Sequence, residues 1–283
     1  YGFPDENGKP GCDLAYLDRV CTLTAEAIQE AVETMTVAKL KIATGEAEGQ
    51  IAFNYYADEL YDPRCSVIQA ITEDEKIIGT LVNYAIHPEV LGSKQGVVSP
   101  DLVGPLWERI EADTGGMAMF MNGAQGGMVT ADVRGPDGKH RQTWEECQRI
   151  GDLLGREALR IVKAAPTQDE PRLRCHTRRV RFPIESPMLR QVIQLSPLNH
   201  GVSDDGSVEA QVNLVELGDA RILTIPGEAL PNIGYYLKRK LGGEQQLLFG
   251  LTNDAFGYIL TKVDWNSFKR YDYVSRTCLG EMT

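Results

Sequence analysis

Three apolar segments of the chain each lead into a side chain that can bind a metal ion. These residues are His87 after segment 77–86, Glu228 after segment 220–226 and Tyr258 after segment 246–252. Active sites of α/β proteins gather at the carboxyl ends of buried strands. An imidazole, a carboxylate and a phenol that meet at such an edge would suit a hard or borderline cation such as zinc.

Each of the three residues also has a purely structural interpretation. His87 can be a strand-end histidine that bonds a backbone carbonyl. Glu228 can be a carboxylate that favours the N-terminus of a helix opening there. Tyr258 can be a core or rim tyrosine, because a phenolate ligand needs a neighbouring cation to lower its pKa. The sequence leaves both interpretations open.

A glycine-rich loop, residues 122–127, follows a short apolar strand at 117–121. Exposed backbone amides in such a loop can hold an oxyanion, although a tight structural turn explains the glycines equally well. The sequence contains no GxxxxGK[ST] phosphate loop, no GxSxG nucleophile elbow and no HExxH zinc motif. Nucleotide hydrolysis and serine-hydrolase chemistry of those types are therefore disfavoured.

Composition restricts the partners. The chain has 283 residues and a formal net charge of −11, so a phosphate backbone would be repelled and nucleic acid is a poor candidate partner. No apolar segment approaches the roughly 20 residues of a membrane helix. The six cysteines form no CxxC pair, which disfavours a cysteine zinc site and leaves one or two disulfides possible.

Periodicity predicts an α/β protein with mixed β-sheets flanked by helices. Asp13 and Thr143 are predicted helix caps, with Glu146 in the capping-box position. Further helices are expected at 101–110 and 230–241. Strands are expected at 66–70, 77–86, 117–121, 172–182, 208–217, 220–225 and 247–251, the segment 172–182 as a half-exposed strand. The segment 39–51 is left open between strand and loop.

Four segments, in this order, resemble the neutral/alkaline (non-lysosomal) ceramidase family. They read LVNYAIHP at 81–88, MNGAQG at 121–126, IPGE at 225–228 and GLTNDAFGY at 250–258. The resemblance implies the fold of the family's catalytic domain, without its immunoglobulin-like domain. It also implies that residues 1–283 are a single catalytic-like domain of a longer protein, and that this protein is exported to the periplasm or the extracellular space.

The resemblance implies one zinc ion bound by two histidines, a glutamate and a tyrosine. By motif, His87, Glu228 and Tyr258 fall on three of these positions, and the other histidine of the family would precede Tyr1. Two departures suggest that substrate recognition has changed. Val129 stands where the family has a serine, with Thr130 one step later, and the sequence Asn54-Tyr55-Tyr56 stands where relatives carry Asn-Arg.

The sequence thus predicts a zinc-dependent hydrolase that cleaves an amide (N-acyl) bond of a small-molecule or lipid-like substrate, such as a sphingolipid, with a zinc-activated water. Backbone amides of Asn122, Gly123 and Gly126 would hold the oxyanion, and Thr130 is the only nearby hydroxyl that could act as a nucleophile. Asp254 is either a residue that orients a ligand or, more simply, a turn former. The alternatives are a metal-dependent esterase, another small-substrate hydrolase, or a non-catalytic binding homologue.

Overall fold

Two mixed sheets form the framework of the computed structural model, which describes residues 11–198, 201–281 and 283. The strands are β1 Lys39–Glu46, β2 Ala52–Asn54, β3 Arg64–Ile71, β4 Ile77–Tyr84, β5 Met117–Asn122, β6 Val129–Ala131, β7 Thr167–Gln168, β8 Leu173–Pro183, β9 Ser207–Leu217, β10 Ala220–Thr224, β11 Glu228–Ala229, β12 Gln245–Phe249 and β13 Tyr258–Ile259. The helices are α1 Leu14–Glu33, α2 Val103–Thr114, α3 Trp144–Lys163, α4 Pro187–Leu195, α5 Pro231–Leu241 and α6 Asp272–Arg276.

The first sheet has the strand order β5-β4-β3-β1-β7, and the second has the order β12-β10-β9-β8. In each sheet one neighbouring pair is parallel, β4 with β5 and β10 with β12, while the other pairs are antiparallel. The mixed-sheet prediction is confirmed. The parallel pairs matter for function because they point the carboxyl ends of β4, β5, β10 and β12 at the loops that follow them.

Helices cover the outer faces of the two sheets. One face of the first sheet packs against α2 and α3 through Val67, Val82 and Tyr84, in a cluster with Leu106 and Leu154. The opposite face meets the second sheet through Ile42 and Ile68, which pack with Ile222 and Leu247. The second sheet is covered in turn by α5, since Leu223 and Leu248 pack with Ile233 and Leu237. The result is a helix–sheet–sheet–helix stack.

The predicted caps of two long helices are confirmed. The side chain of Asp13 accepts a hydrogen bond from the backbone N–H of Tyr16 at 3.0 Å, and Thr143 accepts one from Glu146 at 3.3 Å. The side chain of Glu146 pairs with Arg149 at 2.6 Å. Only the Thr143 half of the predicted capping box is therefore seen, because the arginine offers the carboxylate a charged partner.

Other boundaries differ from the prediction. The helix expected at 101–110 begins instead at Val103, because Asp101 has a φ of 49° and its carboxylate accepts the backbone N–H groups of Val90 and Leu91, each at 3.0 Å. The segment 39–51 forms β1 over Lys39–Glu46. Helix α4 and the short strands β2, β6, β7, β11 and β13 were not expected, since segments this short carry little periodicity.

The arm, formed by β8 and β9, corrects a further prediction. Strand β8 was expected to be half exposed, but it is the edge strand of its sheet, and all of its residues are exposed except the half-buried Phe182. Alternation of apolar and charged residues predicts burial of one face only when something packs there. Helix α1 likewise has no buried residue despite its regular apolar spacing.

All six cysteines are free thiols in the structure. The disulfides left possible by the sequence are therefore absent among residues 11–198 and 201–281, which contain every cysteine. In the part of the chain that the structure describes, no helix combines the length and the apolar character needed to cross a bilayer.

Candidate functional site

His87 and Glu228 are brought into contact although 141 positions separate them in the sequence. The imidazole Nε2 of His87 lies 2.7 Å from Oε2 of Glu228, and both side chains are about one-fifth exposed. His87 follows β4, and its backbone pairs with Thr130 beside β6. Glu228 lies in β11, beyond the end of β10. The convergence predicted from strand ends is therefore seen for this pair.

The other ring nitrogen of His87 has a fixed partner as well. Its Nδ1 lies 2.6 Å from the carbonyl oxygen of Val129, which can only accept, so Nδ1 carries a proton and donates. Nε2 faces a carboxylate, and one proton must lie between those two atoms. Burial alone opposes a charged imidazole, but the hydrogen bonds to Glu228 and Val129 and the Glu228 charge outweigh it, so the pKa of His87 is raised.

The proposed helix-end role of Glu228 does not fit the structure. Glu228 was expected to open the helix that follows it, but α5 begins only at Pro231 and has no acidic residue in its first turn. The backbone N–H of Glu228 instead donates to the carbonyl of Gly257 at 2.9 Å. Its carboxylate is thus held by a short parallel strand pair and directed at His87, rather than placed to neutralise a helix dipole.

Tyr258 lies directly across from Glu228, because β11 and β13 pair in parallel with these two residues in register. The tyrosine is 7% exposed and packs with Leu230, Leu260 and Val274, as the core interpretation expects. Its hydroxyl donates to Met128 Sδ at 3.8 Å, a weak acceptor. Burial, followed by the Glu228 charge, holds the pKa of Tyr258 far above its ordinary value. Without a cation it is a neutral phenol.

Glycines allow the three loops of the site to approach each other closely. We call the loops 122–128, 225–230 and 250–258 the junction. A Cβ on Gly126 would collide with the carbonyl oxygen of Glu228 and lie 2.7 Å from the carbonyl carbon of Ala229, and one on Gly227 would lie 2.6 Å from the carbonyl oxygen of Gly257. The glycines are therefore needed for backbone packing that positions the Glu228 carboxylate.

The predicted oxyanion-binding amides have partners already. The N–H of Gly123 donates to the Tyr84 carbonyl at 3.0 Å, and that of Gly126 donates to Ala229 at 2.9 Å. The backbone of Asn122 accepts from Gly250 N–H at 2.9 Å. An oxyanion would have to compete with these bonds, which favours the structural interpretation of the loop. The catalytic roles of Asn122, Gly123 and Gly126 stay predictions.

Thr130 and Asp254 are placed differently with respect to the pair. Thr130 is half buried and its backbone bridges to His87, so its position next to the imidazole is seen, while its role as a nucleophile stays a prediction. The Asp254 carboxylate accepts the backbone N–H of Ala255 at 2.8 Å. This contact fits the turn-forming interpretation of Asp254.

The donor chemistry of the site is compatible with a zinc ion. The Nδ1 of His87 bonds a carbonyl, which is the arrangement that commonly orients a metal-binding imidazole and leaves Nε2 for the metal. Ligands on one tetrahedral zinc lie about 3.3 Å apart, given bonds near 2.0–2.2 Å. The 2.7 Å separation of His87 and Glu228 is a hydrogen-bond distance, so these side chains would have to part slightly.

The described residues contain no group of three or more His, Cys, Asp and Glu side chains arranged to hold a metal. Tyrosine lies outside those four residue types. His87 and Glu228 are therefore the two ligands that the geometry brings together, Tyr258 is a neighbour aligned with Glu228, and the zinc site stays a prediction.

Two residues of the site were missed from the sequence. The charge of Glu89 acts on both His87 and Tyr258, and the tripeptide His-Pro-Glu at 87–89 could have pointed to it. Met128, which contacts the Tyr258 hydroxyl, has a φ of 72°, a strained conformation for a side chain larger than glycine. No sequence pattern marks that strain.

Comparison with solved structures shows the fold. The chain superimposes on neutral ceramidase from Pseudomonas aeruginosa with a TM-score of 0.71 and 15% identity, over 89% of this chain and 50% of that one. A second structure, a ceramidase complexed with C2, gives a TM-score of 0.66, also with 15% identity, over 84% of this chain and 50% of that one. The chain thus spans about half the length of these structures. It matches no family model and no curated protein.

Proposed function

We propose that the chain is the catalytic part of a zinc-dependent hydrolase that cleaves an amide bond. The observation that supports this most is the contact of His87 Nε2 with Glu228 Oε2 at 2.7 Å, at the carboxyl ends of strands from two different sheets. The fold shared with half of a neutral ceramidase adds to it. His87 and Glu228 would hold the metal, with Tyr258 as the adjoining third donor.

Zinc bound there would supply Lewis acidity, which lowers the pKa of water and polarises a carbonyl. The residues of the chain supply the remaining parts. The Val129 carbonyl orients His87 by accepting from Nδ1, the β11–β13 pair fixes Glu228, and the surrounding core limits access of water to Tyr258. The raised pKa of Tyr258 would fall beside a cation, so its hydroxyl becomes a donor of charge only when metal is bound.

Metal analysis of purified protein with a matched pair of histidine variants tests the proposal. His87→Ala removes the candidate ligand. His176→Ala removes a histidine that also lies near a glutamate, Glu216 at 3.9 Å, but on the exposed arm. We expect about one zinc per chain in the parent and in His176→Ala, and a loss of affinity of at least tenfold in His87→Ala. Equal zinc affinity in all three would remove His87 from the site.

A second variant separates metal binding from folding. Glu228→Gln keeps the shape of the side chain and a hydrogen-bond acceptor but removes the charge. We expect zinc affinity to fall at least tenfold, while the free energy of unfolding of the metal-free protein changes by no more than about 1–3 kcal/mol, the worth of a charged hydrogen bond. A large loss of stability with unchanged zinc affinity would make Glu228 a structural residue.

Hydrolysis of N-acyl and O-acyl probes then distinguishes the reaction classes. Zinc-dependent release of amine from an N-acyl ethanolamine supports the amidase. Release of alcohol from the matching ester alone would favour the esterase alternative. Zinc binding without either product, or no zinc at all, would leave a binding homologue on this fold.

A further inference from the structure

A row of tyrosine rings extends from Tyr258 across the mouth of the site. We call Tyr55, Tyr56, Tyr271 and Tyr273 the tyrosine belt. The ring of Tyr273 lies 5.8 Å from that of Tyr258, Tyr271 lies 5.5 Å from Tyr56, and Tyr56 lies 6.2 Å from Tyr55. The belt therefore connects the buried candidate ligand to the surface.

The belt exposes aromatic faces to solvent. Tyr55 is 59% exposed and Tyr273 is 51% exposed, while Tyr56 and Tyr271 pack against the core cluster that contains Tyr258. Interplanar angles of 60–72° show that the rings meet edge to face, an arrangement in which each ring keeps a face of its own. Adjacent exposed rings next to a candidate active site are typical of a binding surface.

The loop that carries Tyr55 and Tyr56 is held rigidly. The Asn54 side chain accepts the backbone N–H of Tyr56 at 2.8 Å and donates to the Leu60 carbonyl at the same distance. The backbone N–H of Tyr55 donates to the Met128 carbonyl at 3.0 Å, which ties the loop to the junction. Arg270 donates to the Tyr56 carbonyl at 2.7 Å. A fixed surface loses little entropy when a ligand binds.

The space beside the belt argues against an inserted alkyl chain. A cavity of about 30 Å³, bounded on different sides by Gly127, Leu230 and Tyr271, lies there. Such a volume holds roughly one water molecule. A ligand body must therefore lie on the belt rather than in this cavity, and separate ring faces suit a compact planar group better than an extended chain.

We propose that the tyrosine belt is the specificity surface of this site and that it selects amides carrying an aromatic ring next to the scissile bond. The substrate class rests on the proposed amidase function, whereas the ring preference can be measured as binding alone. Tyr55 and Tyr273 stack the ring, and Tyr56 and Tyr271 support them from the core side.

Three probes with the same number of acyl carbons test the preference: N-phenylacetyl, N-cyclohexylacetyl and N-octanoyl ethanolamine. Binding to the zinc-loaded and the metal-free protein is followed by calorimetry or ligand-observed NMR. We expect the phenylacetyl probe to bind roughly three- to tenfold more tightly than either saturated probe, the range of one aromatic contact. Equal affinity of the three probes would overturn the proposal.

Variants locate the preference on the belt. Tyr55→Leu should abolish the advantage of the phenylacetyl probe, Tyr55→Phe should keep it, and Tyr16→Leu, at an exposed tyrosine of α1 that is 62% accessible, should leave it unchanged. Loss of the advantage in Tyr16→Leu, or its survival in Tyr55→Leu, would contradict the assignment. Because Tyr55 is largely exposed, its variants should fold, which circular dichroism checks.

Binding and turnover separate this inference from the proposed function. A ring preference that depends on Tyr55, found without hydrolysis of any probe, would keep the belt and reject the amidase. Hydrolysis of all three probes at equal kcat/KM, unaffected by Tyr55→Leu, would keep the amidase and reject the belt as its specificity surface.

Discussion

The junction and the arm are held by different kinds of contact. In the junction, backbones of distant segments touch each other, since the Gly126 N–H donates to Ala229 and the Gly250 N–H donates to Asn122. In the arm, β8 has a sheet neighbour on one side only and carries exposed side chains. Close backbone contact fixes side-chain positions within a fraction of an ångström, whereas an exposed edge tolerates movement. A site that must hold His87 against Glu228 needs the first kind.

Charge pairs show the same contrast. Helix α5, which leads away from the junction, is fastened by Lys238, whose Nζ lies 2.8 Å from Asp62, with side chains only 6% and 2% exposed. Arg64 binds the same carboxylate at 2.7 Å. In the arm, Arg179 lies 3.3 Å from Glu209, with side chains 76% and 37% exposed. One carboxylate thus serves two cations in the interior, while the arm pair is solvated.

The largest effect is expected from Asp62→Asn. Removal of the buried carboxylate leaves Lys238 and Arg64 without a counter-charge, and breaking a buried pair costs about 3–5 kcal/mol. Urea unfolding measures the loss. A loss below about 1 kcal/mol would show that the junction anchor is no stronger than a surface pair.

Acid unfolding should report the same carboxylate. Burial alone would raise the pKa of Asp62, but Arg64 and Lys238 outweigh it and the pKa is lowered. Its contribution to stability is therefore complete above the ordinary aspartate value of about 3.9 and is lost as the pH falls through the lowered pKa of the folded state. The difference in unfolding free energy between wild type and Asp62→Asn should shrink on acidification. A difference independent of pH would contradict the assignment.

Gly126→Ala tests the backbone contact itself. The added methyl group meets the Glu228 and Ala229 backbone, so the loops must part, at a cost of about 1–3 kcal/mol. The matched control is Gly201→Ala, where a Cβ meets nothing within 4 Å and φ is not positive. Thermal unfolding and zinc titration should both weaken in Gly126→Ala alone. If zinc binding proves insensitive to that variant, Glu228 is not positioned by the glycine contact.

The smallest effect is expected in the arm. Arg179→Gln removes an exposed pair with Glu209 and should change the unfolding free energy by about 0.2–1 kcal/mol, less at high salt. Urea unfolding at low and high salt measures both values. A loss comparable to that of Asp62→Asn would erase the distinction between the two regions.

Regular elements and their ends could be read from the sequence because their causes are local. The caps Asp13 and Thr143 and the turn at 73–75 depend on neighbours within a few positions. Exposure could not be read in the same way. The apolar spacing of α1 and the alternation of β8 state which faces could be buried, but only a packing partner buries them, and the described structure places none there.

The candidate site divides along the same line. The sequence by itself determined that an imidazole, a carboxylate and a phenol follow strand-like segments, since residue type and strand ends are local properties. Only the tertiary structure decided that His87 and Glu228 meet at 2.7 Å, that Tyr258 lies in the core across from Glu228, and that Gly123 and Gly126 give their amides to other backbone groups. These facts depend on how two sheets pack and how closely glycine loops approach, distances that no local pattern encodes.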